Sequence, residues 1–171
     1  MQEYHDTEWG RPVRGDRALF ERICLEAFQA GLSWRTVLLR RAVLREVFAG
    51  FEPVILAERD DDWVETVMQD SRIIRNRAKV RATVANARAT LRLQALHGPD
   101  ALDALVWGHQ PGDHPRPLNI KQVPAQTAQS VTLARTLRSA GFVFVGPTTA
   151  YALMQACGLV NDHVMDCPVQ V

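Results

Sequence analysis

Apolar residues in this chain recur three and four positions apart, and most such stretches end at a glycine or proline. From Asp16, the residues Leu19, Phe20, Ile23, Cys24, Ala27 and Phe28 fall on one helical face, and Gly31 follows. Ser33 is placed to cap a next helix, with Trp34, Val37, Leu38, Leu44 and Phe48 inward as far as Gly50. Pro53 suits a first helical turn, and Asp60, Asp61 and Asp62 suit the start of a helix running to about Asp70. After a tight connection at 71–76, Val80, Val84, Ala87 and Leu91 mark a long helix ending near Gly98 and Pro99. Leu102 to Trp107 adds a turn or two. Pro111, Pro115, Pro117 and Pro124 make residues 108–126 mostly loop. Residues 125–140 are helical in pattern, and Pro147 opens a last helix through Tyr151, Met154 and Cys157 to Gly158. Phe142 to Val145 could be a strand, but it has no evident partner. The pattern predicts an all-α fold.

With 171 residues, 47% of them hydrophobic, the chain can bury one sizeable core. A single domain over 1–171 is expected, with room for two helical lobes. No apolar run approaches the roughly 18–20 residues of a membrane span, and no basic segment leads into an apolar one at the N-terminus. Cys24, Cys157 and Cys167 are too few and too scattered for a disulfide scaffold. A soluble cytoplasmic protein without a membrane partner is the expectation.

The formal net charge of +1 hides a segregated distribution. Residues 71–99 contain no acid and carry Arg72, Arg75, Arg77, Lys79, Arg81, Arg88 and Arg92. Just upstream lies an acidic block, Glu52, Glu58, Asp60, Asp61, Asp62, Glu65 and Asp70, with Arg59 its only base. A local basic segment is what phosphate binding needs; a solvated helix face is the alternative.

Four constellations could carry chemistry. His163 and Cys167, four apart, offer the nitrogen and sulfur that zinc prefers, and His5 lies near the other end of the chain. Cys24 and Cys157 sit in apolar patterns and read as buried hydrophobes, and His109 and His114 read as solvent-exposed. Glu26 falls at the edge of an apolar helical face, either as a boundary residue or as a pocket wall. Tyr4, Trp9 and Trp34 are core aromatics or stacking platforms for an extruded base. Finally, the Asp70–Lys79 turn places Ile73 and Ile74 inside a basic hairpin, an arrangement that suits docking on a DNA backbone.

Several runs resemble the DNA-3-methyladenine glycosylase I (Tag) family, in family order from residue 4 to residue 167. They are Tyr4-His-Asp-Thr-Glu-Trp-Gly10, Leu25-Glu-Ala-Phe-Gln-Ala-Gly-Leu-Ser-Trp34, Ile73-Ile-Arg-Asn-Arg77, Phe142-Val-Phe-Val-Gly146 and Met154-Gln-Ala-Cys-Gly-Leu-Val-Asn-Asp-His163. The resemblance implies a fold of the helix–hairpin–helix glycosylase superfamily, with a zinc ion joining the termini. It implies excision of 3-methyladenine from alkylated double-stranded DNA by a monomer that flips the base out. By motif, His5, His163 and Cys167 match zinc ligands, and Glu26 matches the pocket carboxylate. Tyr4 and Trp34 match pocket walls, and Gly31 and Leu32 match the segment filling the gap left by the flipped nucleotide. Ile73, Ile74, Arg75, Arg77 and Lys79 match the DNA-anchoring hairpin.

The only lysines are Lys79 and Lys121. With so few amines for a Schiff base, a monofunctional glycosylase leaving an intact abasic site is expected. The family pattern also has a Cys, the fourth zinc ligand, ahead of its first motif, whereas this chain starts at Met1-Gln2-Glu3. It has Gly before the Ile-Ile pair, where this chain has Arg72, so altered hairpin geometry or DNA affinity is expected there. Two other readings stay open from sequence: a DNA-binding relative without excision activity, and a zinc-bound helical module for a protein partner.

Overall fold

The computed structural model describes residues 1–169; the last two residues of the expected 1–171 domain lie outside them. The helices are α1 (Gln2–Thr7), α2 (Asp16–Gln29), α3 (Trp34–Leu38), α4 (Arg41–Val47), α5 (Pro53–Ala57), α6 (Asp61–Gln69), α7 (Arg77–His97), α8 (Ala101–Trp107), α9 (Ala128–Ser139) and α10 (Pro147–Ala156). No strand occurs among the described residues.

Local chemistry explains most boundaries. Ser33 accepts from the Thr36 amide, Asp60 from Trp63, Asn76 from Lys79 and Thr127 from Ser130, each satisfying an amide that a helix start leaves free. Asp16 behaves differently from the expectation that it caps its own helix. It is the first residue of α2 after Gly15, and its Oδ1 accepts from the Asp103 amide at 2.8 Å, in the first turn of α8. Asp103 Oδ1 in turn accepts from the Gly15 amide at 2.7 Å. The two helix starts therefore cap each other.

The single helix expected from Ser33 to Gly50 is two. The Arg40 amide bonds back to the Val37 carbonyl, a three-residue closure that ends α3, and α4 restarts at Arg41. The Arg41 guanidinium then makes a bidentate pair with Glu8, with Nη2 2.7 Å from Oε1, which ties the N-terminal segment to this helix pair. The apolar run 142–145 is not a strand. Its backbone is held at Val143 by the buried Asn86, which accepts from the Val143 amide at 2.8 Å and donates to its carbonyl.

At the centre lies α7, which packs against α2, α5, α6 and α8. Its buried residues, among them Val80, Ala87 and Leu93, lie around most of its circumference. The main core joins α2 and α7 to α9 and α10 through Phe20, Phe28, Leu133, Leu137, Phe142, Tyr151 and Met154. Cys24 and Cys157 are buried in it, as expected.

Candidate active site and metal cluster

The apolar face of α2 brings Glu26 inward, in the helix's last turn. Glu26 is only 4% exposed. Burial pushes its pKa up to about 8, and the Arg22 guanidinium pulls weakly the other way. A cavity of about 260 Å³ opens beside it, lined by Tyr4, Trp9, Gln29, Trp34 and Gln155 among others. The Tyr4 and Trp34 rings stand 5.3 Å apart, tilted at 44°. Burial also raises the Tyr4 phenol well above its ordinary range. The indole nitrogen of Trp34 is buried and has no hydrogen-bond partner among the described residues. Thus a carboxyl group and two π faces converge on one small volume.

A second hollow of about 200 Å³ shares Glu26 and Gln29 with the first and is lined by Gly31, Leu32 and Thr149. Gly31 has φ +78°, a conformation that a side chain adopts only at a cost, and it turns the chain out of α2. Leu32 follows on the surface, 42% exposed.

His5, on α1, meets His163 and Cys167 from the C-terminal segment, with one ligand atom of each within 4.8 Å of the others. The other ring nitrogen of each imidazole is engaged: His5 Nδ1 lies 2.7 Å from Asp6 Oδ1, and His163 Nδ1 lies 3.0 Å from Asn161 Oδ1. This leaves both Nε2 atoms for the cluster. His163 Nε2 is buried with no hydrogen-bond partner among the described residues. Burial, with His5 beside it, lowers the His163 pKa and favours the neutral imidazole that ligates metals. Two imidazoles and one thiol with an orphaned buried nitrogen fit a zinc ion. Trp9 packs against the rings of both His5 and His163 and also lines the cavity, so the cluster and the cavity share a wall.

A family model described as methyladenine glycosylase matches residues 1–170. The chain belongs to the methyladenine glycosylase family. It is 46% identical over 167 residues to DNA-3-methyladenine glycosylase 1 of Escherichia coli (strain K12), covering 96% of this chain and 88% of that one. It is 44% identical over 169 residues to the Haemophilus influenzae (strain ATCC 51907 / DSM 11121 / KW20 / Rd) DNA-3-methyladenine glycosylase, covering 97% and 90%. A crystal structure of 3-methyladenine DNA glycosylase I superposes with a TM-score of 0.94 at 41% identity, covering 99% of this chain and 93% of that one. The Staphylococcus aureus 3-methyladenine DNA glycosylase I, whose structure describes its recognition of 3-methyladenine, gives 0.93 at 29% identity, with 99% and 90% covered.

For this family member, the 70–79 segment departs most from expectation. Ile73 is buried and Ile74 half-buried, so the turn is anchored in the core. Two of its four basic residues, Arg72 and Arg77, are already ion-paired, as is Arg81 just beyond it. Arg72 binds Asp70 and Glu46, Arg77 binds Glu65, and Arg81 binds Asp61. Lys79 is a correction to its expected role as a surface contact. It is 5% exposed, and its ammonium donates to the carbonyls of Phe28 and Ala30 at the end of α2. Of the basic turn residues, Arg75 is exposed and carries no ion pair among the described residues. Arg72 is not at positive φ; Asp70 Oδ1 accepts from its amide and shapes the turn. The His109 and His114 rings are half-buried rather than exposed, held by the Leu105 carbonyl and by Asp162.

Gln155 and Gln29 in the cavity wall were not singled out by the sequence pattern. A polar residue on the otherwise apolar face of α10, four after Tyr151, is the signal that could have marked Gln155.

Proposed function

We propose that this chain is a monofunctional DNA-3-methyladenine glycosylase, hydrolysing the N-glycosidic bond of 3-methyladenine in alkylated double-stranded DNA. It works as a single cytoplasmic domain and a monomer. The observation that carries the reading is the buried Glu26 beside the Tyr4 and Trp34 rings in the cavity wall, in a member of this family.

Methylation at N3 makes the adenine cationic, so its bond to the sugar is already weak. When that bond breaks, its electron pair goes to the base, which leaves neutral. A water oxygen bonds to C1′ and releases a proton. The protein therefore has to extrude the nucleotide, bind a cation and admit water, with little call for a strong acid. Glu26 and the faces of Tyr4 and Trp34 attract a cationic base more than neutral adenine. A cation in the cavity favours the ionised form of Glu26. Gly31 and Leu32, which line the hollow beside Glu26, fill the gap that the extruded nucleotide leaves. Extrusion costs least for a damaged base, which adds to selectivity.

The 70–76 turn between α6 and α7 serves as the DNA-anchoring hairpin, through its backbone amides and Arg75. Lys79 is committed to α2, so the monofunctional reading gains support: one of only two lysine amines is unavailable for a Schiff base. Zinc would be held by His5, His163 and Cys167 and would tie α1 to the C-terminal segment, a structural role. No step of the hydrolysis involves it.

The decisive experiment incubates the chain with methylated duplex DNA and identifies the released bases by chromatography. Release of 3-methyladenine, with strands left uncut at the abasic sites, is expected. Absence of release, with the chain folded and binding duplex DNA, would establish the non-excising relative instead.

A further inference from the structure

His163 and Cys167 lie beyond α10, in a segment with neither helix nor strand. Its backbone carbonyls find no partners in regular structure. Its two metal ligands keep their spacing only if something else fixes the chain between them.

The proline-rich segment after α8 does this. In His114-Pro115-Arg116-Pro117 each proline ring locks its own φ, and Pro117 also keeps the Arg116 backbone out of the helical region. Side chains two apart on an extended chain face the same way. Both of these turn to the C-terminal segment. His114 Nε2 meets Asp162 Oδ1 at 2.7 Å. Arg116 Nε donates to the His163 carbonyl at 3.0 Å, and Nη2 donates to the Val164 carbonyl at 2.7 Å, with a longer contact of 3.4 Å to the Cys167 carbonyl. One guanidinium therefore grips the backbone of both C-terminal ligands. Around it, the Pro117 carbonyl accepts from the Met165 amide at 3.0 Å, and the Val164 carbonyl accepts from the Cys167 amide at 2.9 Å, closing the turn that carries the thiol. The other half of the cluster is fixed in a similar way. His5 sits on α1, and Glu8, just past its end, pairs with Arg22 and Arg41.

We propose that residues 114–117 form a clasp for the metal site, in which Arg116 is the positioning residue that holds the His163 and Cys167 backbones at the spacing a zinc ion needs. Arg116 acts through carbonyls and not on the ligand atoms themselves. A metal that binds a loose loop must order it on binding, whereas a loop already ordered spares that loss and binds more tightly. Arginine suits the task because its planar fork meets neighbouring carbonyls together, where a lysine ammonium is a point charge on a flexible stem. The clasp rests on the reading of His5, His163 and Cys167 as a zinc site, given above.

The test measures zinc affinity of the full chain, well below its thermal midpoint, by competition with a chromophoric chelator. Thermal unfolding of the zinc-loaded and metal-free protein runs alongside. Arg116→Met keeps the length and apolar stem and removes the fork. It is expected to weaken zinc binding about 10- to 100-fold, as does loss of other groups that orient metal ligands. Arg116→Lys is expected to fall between Arg116→Met and wild type, and it carries the test alone if Arg116→Met does not fold. A residue that merely fastens the proline-rich segment would lower the midpoint of the metal-free protein and leave zinc affinity as it was. Wild-type affinity in either folded variant therefore overturns the clasp. A wild-type chain that binds no zinc would instead overturn the zinc reading on which the clasp rests.

Discussion

Lys79 Nζ lies 2.7 Å from the carbonyl oxygen of Phe28, and so the helix after the basic turn is fastened to the end of the helix that carries Glu26. The second contact, to the Ala30 carbonyl at 2.6 Å, closes the last turn of α2. These carbonyls are left free where a helix ends, and a cation there meets the negative end of its dipole. A residue that the sequence resemblance assigns to DNA thus links the turn before α7 to the helix that carries Glu26.

Replacing it tests that assignment directly. Lys79→Met is expected to destabilise the fold by about 2 kcal/mol, because charged hydrogen bonds to buried carbonyls are lost. The salt dependence of binding to undamaged duplex is expected to stay as it was. A lowered thermal midpoint with an unchanged slope of log K against log salt supports the structural role. An unchanged midpoint with a shallower slope would return Lys79 to the DNA interface.

Glu26 makes stability depend on pH in a defined direction. Its folded pKa, about 8, lies above the ordinary value of 4.5, so the folded chain holds a proton that the unfolded chain releases. The stabilising contribution is complete below about pH 4.5 and is lost as pH rises through 8. Glu26→Gln abolishes that loss. Its stability relative to wild type is expected to rise between pH 5 and 9, by at most roughly 4–5 kcal/mol. Urea unfolding across that range measures it, and parallel curves would refute the buried-carboxylate account. The same substitution is expected to weaken free 3-methyladenine binding and excision together, because the neutral amide no longer attracts a cation.

Sequence periodicity and caps made the helices legible where chemistry is local. Ser33, Asp60 and Pro53 act where their residue types say they should. What stayed hidden was chemistry between distant segments. Asp16 has the composition of a cap for its own helix, but its partner amide is 87 residues away. The seven basic residues of 71–99 looked like a free patch because the aspartates and glutamates that pair with three of them lie outside that segment. In the candidate site, motif resemblance picked out His5, His163 and Cys167, which the fold brings together across 162 residues. Spacing alone left Glu26 undecided between a boundary residue and a pocket wall; burial places it in the wall.

The His5, His163 and Cys167 cluster, as a zinc site, predicts a measurable stoichiometry. The protein as purified is expected to hold about one zinc per chain, and a chelator is expected to lower its thermal midpoint, because a bound ion stabilises the folded state by its binding free energy. Cys167→Ser is expected to lose most of the zinc. His163→Ala should do the same and also relieve the buried unpaired nitrogen. Elemental analysis beside thermal unfolding checks both. A metal-free protein whose midpoint ignores chelator and both substitutions would sink the structural zinc.

Arg75 and Arg77 differ in what they can offer a phosphate. Arg75 is exposed and free of ion pairs among the described residues, whereas Arg77 Nε lies 2.6 Å from Glu65 Oε1. A phosphate must compete with Glu65 for Arg77 but with nothing for Arg75. Arg75→Ala is therefore expected to reduce the slope of log K against log salt for undamaged duplex by about 0.9, the release of one phosphate's counterions. Arg77→Ala should change it less. Glu65→Gln, which frees Arg77, is expected to tighten duplex binding at low salt. If Arg77→Ala costs more of the slope than Arg75→Ala and Glu65→Gln has no effect, the ion pair does not restrain Arg77, and the acidic block of α6 has no part in setting DNA affinity.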